Sequence, residues 1–405
     1  MNNKKSITKL AIFLGLVTIL SMLLASCQSA TPAPTTAPQG QSTTAPAAPA
    51  SSSAPIDMNF VGPLTGPDGA DGQGAAKAAE LAVNLANQSG GVCSRQLKYI
   101  ANDTVADPKQ GANIAAQICG DTNAYGAMAD YNSSVALAEA PVFNQCQVSQ
   151  VNYYAAAPDI PKTGGSYTFR VYPPGQNQSI YLADWIVNQL KLTKIVVIYE
   201  NTDYGKGLLD PFLAAVKNTN AQILDQEAVL KDQTDLSAVI SKFASLQPDV
   251  VVGFIQYQVG AYFELQAANV GFTVPLYGSD GLYAPDIITL GGKAVEGVRT
   301  LASYSITSTD PIVSDFVAKY KAAYGEDPNN PAGYAYDATN AIINGLKATN
   351  CSGRPALQQW LATNMKNVKG VTGTITLDDN RDRTFAPGMY TPIEIKNGQW
   401  VEVVK

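Results

Sequence analysis

The 405-residue chain contains no histidine. Histidine is the commonest general base, the commonest transition-metal ligand and the usual activator of a serine or cysteine nucleophile. Its absence excludes Ser-His and Cys-His catalytic pairs. The chain also lacks a Gly-x-Ser-x-Gly elbow, a P-loop and a Cys-x-x-Cys pair. We therefore expect no metal, no other cofactor and no enzyme of these classes, while lysine-based or carboxylate-based catalysis stays open.

Charged residues are scarce, at 15% of the chain, and acidic side chains outnumber basic ones. The formal net charge of −6 argues against nucleic acid and against an anionic lipid surface as a partner, because both repel a negative protein. One long apolar run occurs, at residues 10–25, and it is shorter than the roughly 20 residues that a membrane-spanning helix needs. The apolar content of 46% is ample for a hydrophobic core.

The N-terminal residues have the parts of an export signal. Lys4, Lys5 and Lys9 precede the apolar run, which ends in Leu24-Ala-Ser-Cys27. This ending resembles the lipobox of bacterial lipoproteins. The resemblance implies cleavage just before Cys27, lipidation of its thiol, and anchoring of the mature chain to the outer face of the cell membrane. An ordinary signal peptide with a chance cysteine, or a short membrane anchor, is the alternative.

Residues 28–55 consist almost entirely of Ala, Pro, Ser, Thr and Gln, without charged or aromatic side chains. Such a segment cannot bury enough apolar surface to offset its ordering entropy, and its prolines favour extended conformations. We therefore predict a signal peptide at 1–26, a stalk at 27–55 and a folded region at 56–405. The length of the folded region suggests two lobes.

Four cysteines follow the stalk: Cys93, Cys119, Cys146 and Cys351. An even number in an exported chain suggests disulfides, with three possible pairings. Cys119 and Cys146 each end a predicted helix, so we favour a bridge between them, which leaves Cys93 with Cys351. Buried free thiols are the alternative.

Strands and helices alternate along most of the folded region. A first series begins with strand Ile56–Val61 and helix Gly74–Gln88 and ends with strand Gln147–Val151. A second series begins with helix Ser179–Leu190 and ends with strand Pro275–Gly278. Repeating βα units imply parallel sheets with helices on both faces. The sequence therefore predicts an α/β fold of two doubly wound lobes with a cleft between them.

The loops at the carboxyl ends of these strands are where such sheets bind ligands. They are rich in Ser, Asn, Asp, Gln and Tyr, which suit a small polar ligand held by hydrogen bonds. The predicted loops are 62–72, 130–134, 150–154, 200–204, 256–258 and 279–283.

Several short motifs occur in order along the folded region. They are Val61-Gly-Pro-Leu-Thr-Gly66, Asp107-Pro-Lys-Gln110, Tyr204-Gly205, Gly278-Ser-Asp-Gly281, and Tyr320-Lys-Ala-Ala-Tyr-Gly325 followed by Tyr336-Asp-Ala338. In this order and at these spacings they resemble the extracytoplasmic solute-binding proteins of ABC transporters, of the leucine/isoleucine/valine-binding type. The resemblance implies a lipid-anchored receptor, expected as a monomer, that delivers a small ligand to a membrane permease and its ATPase without covalent chemistry.

The resemblance also implies the type I fold of periplasmic binding proteins, in which three crossovers join two lobes that close on a ligand in the cleft between them. It places lobe 1 at about 56–173 and 299–377, and lobe 2 at about 174–298 and 378–405. A branched-chain amino acid is the first ligand that it implies. An amide, a urea-like compound or an aromatic acid is the alternative.

Ligand contacts carry over from this family by position. Asn132, Ser133 and Ser134 precede or open the third helix, where the family binds the ligand carboxylate, and a helix N-terminus favours an anion. Asp280 falls where the family has an acid for the ligand ammonium group, and Tyr204 where a tyrosine covers the ligand.

Further positions match less closely. Asn152 and Tyr153 replace a small residue and a threonine, and Gln256 or Tyr257 aligns with another ligand-facing tyrosine. Asp71 falls near the expected pocket mouth, where an acid suits a polar or basic ligand side chain. Helix capping, turn formation and plain solvation are the simpler roles for the ligand-binding candidates.

Two other classes of function stay open. A domain that senses the ligand for a signalling partner has the same sequence features as a transport receptor. A cell-surface hydrolase on an α/β scaffold is the second class, and the missing histidine argues against it.

Overall fold

The structure is a computed structural model that describes residues 54–386 and 388–403. Cys27, the predicted signal peptide and nearly all of the predicted stalk lie outside these residues. Across the described part of the chain, no helix combines the length and apolar character that crossing a membrane requires.

The first five strands form a parallel sheet in the order β2-β1-β3-β4-β5. These strands are β1 (Ile56–Gly62), β2 (Leu97–Asp103), β3 (Ala124–Met128), β4 (Ser149–Asn152) and β5 (Thr168–Arg170). The order reverses beside β1, as in doubly wound folds.

A second sheet of seven strands has the order β14-β13-β10-β9-β8-β6-β7. Its parallel strands are β6 (Lys194–Glu200), β7 (Gln222–Val229), β8 (Val250–Phe254), β9 (Leu276–Gly278) and β10 (Arg299–Ala302), and its antiparallel strands are β13 (Thr391–Lys396) and β14 (Gln399–Glu402). The parallel part repeats the strand order of the first sheet. A separate hairpin pairs β11 (Val368–Gly370) with β12 (Gly373–Ile375).

Twelve α-helices connect or follow the strands. They are α1 (Gly69–Gln88), α2 (Pro108–Gly120), α3 (Ser133–Cys146), α4 (Ile160–Thr163), α5 (Gly175–Ala183), α6 (Asp203–Val216), α7 (Ser237–Leu246), α8 (Tyr257–Asn269), α9 (Pro285–Gly291), α10 (Pro311–Tyr324), α11 (Asn330–Ala348) and α12 (Arg354–Asn364). Short 3₁₀ helices span Asp280–Leu282 and Gly292–Val295. This count refers to the described residues alone.

Each parallel sheet is covered on both faces, which explains the continuous apolar runs of its central strands. In β6, Val196 and Ile198 pack into one core cluster, whereas Ile195 and Val197 pack into the cluster on the opposite face. Successive strand residues point to opposite sides, so only a strand buried on both faces needs such a run. The first sheet is likewise enclosed, by α1, α11 and α12 on one face and by α2 and α3 on the other.

The chain passes between the two sheets three times. The crossings lie between β5 and α5, between β10 and α10, and between β12 and β13. We predicted the return to the first lobe near residue 299. Because Arg299–Ala302 is hydrogen-bonded within the second sheet, the return follows Ala302 instead.

Several element boundaries differ from the prediction. Helix α1 begins at Gly69, five residues before the predicted Gly74, so Asp71 lies in its first turn and not in a loop. A side chain at Gly72 would collide with the carbonyl oxygen of Pro63, 1.6 Å from the Cβ position. Helix α5 begins at Gly175 and continues as a π-helical turn to Gln189. The short elements β5, β10 and α9 lack a periodic signal of their own and were missed.

Candidate ligand-binding site

Residues that follow the strands of both sheets line one cavity of about 400 Å³. This volume lies within the usual range for small-molecule sites. The residues that follow strands of the first sheet are Asp68, Ala106, Pro108, Tyr131, Asn132, Ser133, Ser134 and Tyr154; those that follow strands of the second are Glu200, Asn201, Thr202, Asp203, Tyr204, Lys206, Lys231, Gln256, Asp280 and Gly281. The cavity therefore lies at the carboxyl ends of both sheets, where doubly wound folds bind ligands.

Asp280 brings a carboxylate into the cavity from the second lobe. It opens the short 3₁₀ helix after β9 and is 3% exposed. Burial raises the pKa of Asp280 to about 7, although the N–H groups of Gly281 and of Asp280 itself partly offset the rise. Its Oδ2 has no hydrogen-bond partner among the described residues. A buried carboxylate oxygen of this kind calls for a cationic or hydrogen-bond-donating group.

Tyr204 is fixed beside Asp280 by hydrogen bonds. Its hydroxyl lies 2.7 Å from Ser279 Oγ and accepts from the Gly281 N–H at 3.2 Å. The first turn of α6, which carries Tyr204, is held by Thr202, whose hydroxyl accepts from the Gly205 N–H at 3.2 Å. The Tyr204 ring is therefore held rigidly where it can cover a ligand.

The N-terminus of α3 reaches the cavity from the first lobe. Asn132 donates from Nδ2 to Asp68 Oδ2 at 2.8 Å, which holds the turn in place. Ser133 Oγ accepts from the Ala157 N–H at 3.1 Å, so the hydroxyl proton of Ser133 stays available to a ligand. The first N–H groups of a helix have no partner within the helix and carry a partial positive charge, so this end of the cavity favours an anion.

A tyrosine outside our predicted set connects the two lobes. The Tyr131 hydroxyl lies 3.0 Å from Asp71 Oδ2 and 3.3 Å from Gln256 Oε1. The ring stacks on Tyr154, with centroids 5.0 Å apart. Burial raises the pKa of Asp71 to about 7, and the hydrogen bond from Tyr131 partly offsets the rise.

Two further buried acids line the cavity. Glu200, at the end of β6, accepts from the Gln256 N–H at 2.8 Å, and burial raises its pKa to about 8. Burial also raises the pKa of Asp68, against the effect of its hydrogen bond from Asn132. Lys231 lies nearby and donates to the Ala106 carbonyl oxygen at 3.2 Å, across the cleft.

Six of the ten predicted ligand contacts line the cavity: Asn132, Ser133, Ser134, Tyr204, Gln256 and Asp280. The structure does not bring the other four into its lining. Asn152 donates to the Asp130 carbonyl oxygen at 3.4 Å, and Tyr153 packs on Phe60 inside the first lobe. The Tyr257 hydroxyl donates to the Pro67 carbonyl oxygen at 3.4 Å, and Asp71 accepts a hydrogen bond from the Tyr131 hydroxyl.

Besides Ala106, Pro108 and Gly281, the lining residues that sequence reasoning missed are polar: Asp68, Tyr131, Tyr154, Glu200, Asn201, Thr202, Asp203, Lys206 and Lys231. Most lie in or beside loops that we predicted at strand ends. The position of a loop after a strand was therefore the signal that the sequence offered. It did not show which side chains within each loop line the cavity. Within residues 54–386 and 388–403, no group of three or more Cys, Asp or Glu side chains is placed to hold a metal ion.

Curated relatives of this chain are binding proteins. The "Leu/Ile/Val-binding protein homolog 3" of Brucella melitensis is 27% identical over 333 residues, which cover 81% of this chain and 89% of the relative. The "Leu/Ile/Val-binding protein homolog 2" of Brucella abortus is 27% identical over 351 residues, covering 85% of this chain and 92% of the relative.

Solved structures share the fold. The leucine-binding protein LivK of Thermotoga maritima superposes with a TM-score of 0.80 at 24% identity, covering 86% of this chain and 98% of that chain. A Rhodopseudomonas palustris solute-binding protein in complex with benzoate gives a TM-score of 0.78 at 18% identity, with coverages of 86% and 95%. The family model described as "Periplasmic binding protein" matches residues 55–399, and the chain therefore belongs to the periplasmic binding protein family.

Proposed function

We propose that this protein is the solute receptor of an ABC importer and that it binds an α-amino acid between its lobes. The observation that carries the proposal is the buried Asp280 Oδ2, which lines the cavity and has no partner among the described residues. The α-ammonium group of the ligand supplies that partner. The N-terminus of α3, on the opposite lobe, supplies N–H groups and the Ser133 hydroxyl for the α-carboxylate.

Binding by both lobes also explains how the receptor works. A ligand that contacts Asp280 and α3 together interacts with the closed form more strongly than with an open form, and so shifts the population toward closure. A permease reads the closed form and accepts the ligand. The names of the relatives make leucine, isoleucine and valine the first ligands to test.

The membrane attachment is part of the same proposal. The lipobox-like ending at Cys27 and the proline-rich stalk support a chain that is held at the outer face of the membrane by lipid. Two or more acyl chains give stable anchoring where one does not. The stalk leaves the lobes free to meet the permease.

The Asp280→Asn substitution tests the amino-acid assignment. It keeps the shape of the side chain but removes the charge, and breaking a buried charge pair typically costs about 2–5 kcal/mol, or roughly 30-fold or more in affinity. A thermal-shift screen of the purified full-length chain with the standard amino acids selects the tightest ligand. Calorimetry then compares that ligand with its analogue lacking the α-amino group.

Wild-type protein should bind the amino acid and reject the analogue without the α-amino group. The Asp280→Asn variant should show a smaller difference in affinity between these two ligands. Asp210→Asn is the matched control, because Asp210 is an exposed acid on α6 outside the cavity lining. If wild-type protein binds both compounds equally, or binds no amino acid, the proposed function is wrong.

A further inference from the structure

The cavity lining contains no large aliphatic side chain among the described residues. Among the described residues, its lining includes no leucine, isoleucine, valine, methionine, phenylalanine or tryptophan. Its apolar surface comes from Ala106, Pro108, Gly281 and the rings of three tyrosines. Burying a branched aliphatic side chain contributes about 1.5–3 kcal/mol only where apolar atoms surround it. A branched aliphatic side chain therefore finds tyrosine rings and small apolar residues to pack against, but no aliphatic partner.

The cavity offers instead an excess of buried acid. Asp68, Glu200 and Asp280 are 4%, 2% and 3% exposed, and all three line it. The two lining lysines are less buried: Lys206 is exposed and Lys231 is half-buried, with its ammonium group bonded to a carbonyl oxygen. An amino acid places its α-ammonium group at Asp280, which leaves Asp68 and Glu200 without a cation from the ligand main group.

Asp68 and Glu200 both line the cavity, Asp68 from the first lobe and Glu200 from the second. Each is held by one hydrogen bond, Asp68 by the Asn132 amide and Glu200 by the Gln256 N–H. The charge of Asp68 raises the pKa of Glu200 further, whereas Lys231 lowers it. Two buried carboxylates in one cavity are poorly solvated, so a ligand cation that reaches them there stabilises both.

We propose that the ligand is an amino acid with a positively charged side chain, whose distal ammonium or guanidinium group binds to Asp68 and Glu200. This inference rests on the proposed function for the ligand main group and adds the class of side chain. Lysine, ornithine and arginine belong to this class. Each has an α-ammonium group for Asp280 and a second cationic group for Asp68 and Glu200.

Lysine and norleucine provide the direct test, because norleucine has the same carbon chain as lysine without the distal amino group. Calorimetry on the full-length chain should show lysine binding at least about 30-fold more tightly than norleucine or leucine. If leucine, norleucine or glutamine binds as tightly as lysine, the inference is wrong while the amino-acid function stands. If no amino acid binds, both are wrong.

Glu200→Gln tests the residue assignment. We expect it to reduce lysine affinity about 10-fold or more and to leave norleucine binding unchanged or improved, because only lysine loses a charged partner. Asp68→Asn provides the same comparison should the Glu200 variant not fold. Glu264→Gln is the control, since Glu264 is another acid whose pKa burial raises to about 8, outside the cavity lining. Equal losses for lysine and norleucine in both cavity variants would overturn the assignment.

Proton release on ligand binding distinguishes a direct contact with Glu200 from a purely structural role of this residue. Burial raises the pKa of Glu200 to about 8, so near this pH part of the molecules carry a proton on this group before binding. A lysine side chain beside Glu200 favours the ionised form, so titrations in two buffers of different ionisation enthalpy should show protons released on lysine binding. Norleucine should release far less, and Glu200→Gln should reduce the difference between the two ligands. Equal release for both ligands contradicts the proposal.

Discussion

At the scale of single residues, the most unusual feature is the number of buried acids near the cleft. Burial raises the pKa of Asp71 and Asp280 to about 7 and of Asp130 and Glu200 to about 8. In every case the loss of hydration is the largest cause. Such groups weaken the fold when they are ionised, so they are more often kept for binding than for stability.

These raised pKa values predict a protein that is more stable in mild acid than in mild alkali. The unfolded carboxyl groups titrate near pH 4, so between about pH 4 and pH 8 the folded state binds more protons than the unfolded state. The free energy of unfolding therefore falls as pH rises across this range. Thermal unfolding followed by circular dichroism, without ligand, should give a lower Tm at pH 8.5 than at pH 5.5.

Acids with lowered pKa values affect the free energy of unfolding in a different pH range. Hydrogen bonds lower the pKa of Asp103 and Asp249, and the stability that these groups contribute is lost only as pH falls below about 4. They do not oppose the trend between pH 5.5 and 8.5. The double variant with Glu200→Gln and Asp280→Asn should show a smaller difference in Tm. An equal or higher wild-type Tm at pH 8.5 would contradict this account.

At the scale of elements, two disulfides and one arginine tie the helices of the first lobe together. Cys119 at the end of α2 is bonded to Cys146 at the end of α3, and Cys93 is bonded to Cys351, as we predicted. The Arg354 guanidinium at the start of α12 donates to the carbonyl oxygens of Cys119 and Cys146. These bonds satisfy terminal carbonyl groups that the helices themselves leave unpaired.

The two disulfides should differ in their contribution to stability. They close loops with sequence separations of 27 and 258 residues, and the chain-entropy model gives about 3.5 kcal/mol for the shorter loop and about 5.5 kcal/mol for the longer one. The Cys119→Ala/Cys146→Ala variant should therefore lose less free energy of unfolding in urea than the Cys93→Ala/Cys351→Ala variant. Wild-type protein under reducing conditions is the control for both. The reverse order, or four alkylatable thiols in the native protein, would refute the expectation.

At the scale of the whole molecule, two lobes with the same strand order meet across the cleft. The Asp203 N–H donates to Ser134 Oγ at 3.4 Å, and Lys231 reaches the Ala106 carbonyl oxygen at 3.2 Å. The Tyr131 hydroxyl also lies 3.3 Å from Gln256 Oε1, so individual hydrogen bonds join the lobes, whereas apolar clusters hold each lobe together internally. Under the proposed function, a ligand that binds to both lobes therefore shifts the population from open toward closed forms.

The location of the molecule should depend on Cys27. A Cys27→Ser variant has no thiol to receive lipid, so we expect unprocessed or mislocalised protein that no longer partitions into detergent as wild type does. Phase partitioning followed by mass measurement of the N-terminus makes the comparison. Cys93→Ala/Cys351→Ala is a suitable control, because it removes cysteines from the folded domain only. Unchanged partitioning of the Cys27 variant would refute lipid anchoring.

The sequence by itself determined the alternation of strands and helices and the loops in which the site lies. These properties follow from local periodicity: a strand such as β6 needs apolar residues on both faces, and the polar residues after it mark its carboxyl end. The family resemblance added the acid at Asp280 and the turn before α3, and the structure places both in the lining.

Only the tertiary structure decided which side chains in those loops line the cavity. Asn152 and Tyr153 follow one another at the end of β4 yet both point into the first lobe, whereas Tyr154 lines the cavity. Glu200 and Asp68 line the same cavity because strands of both sheets end at the cleft. Such placements depend on packing between residues far apart in the chain, and no local pattern in the sequence encodes that distance.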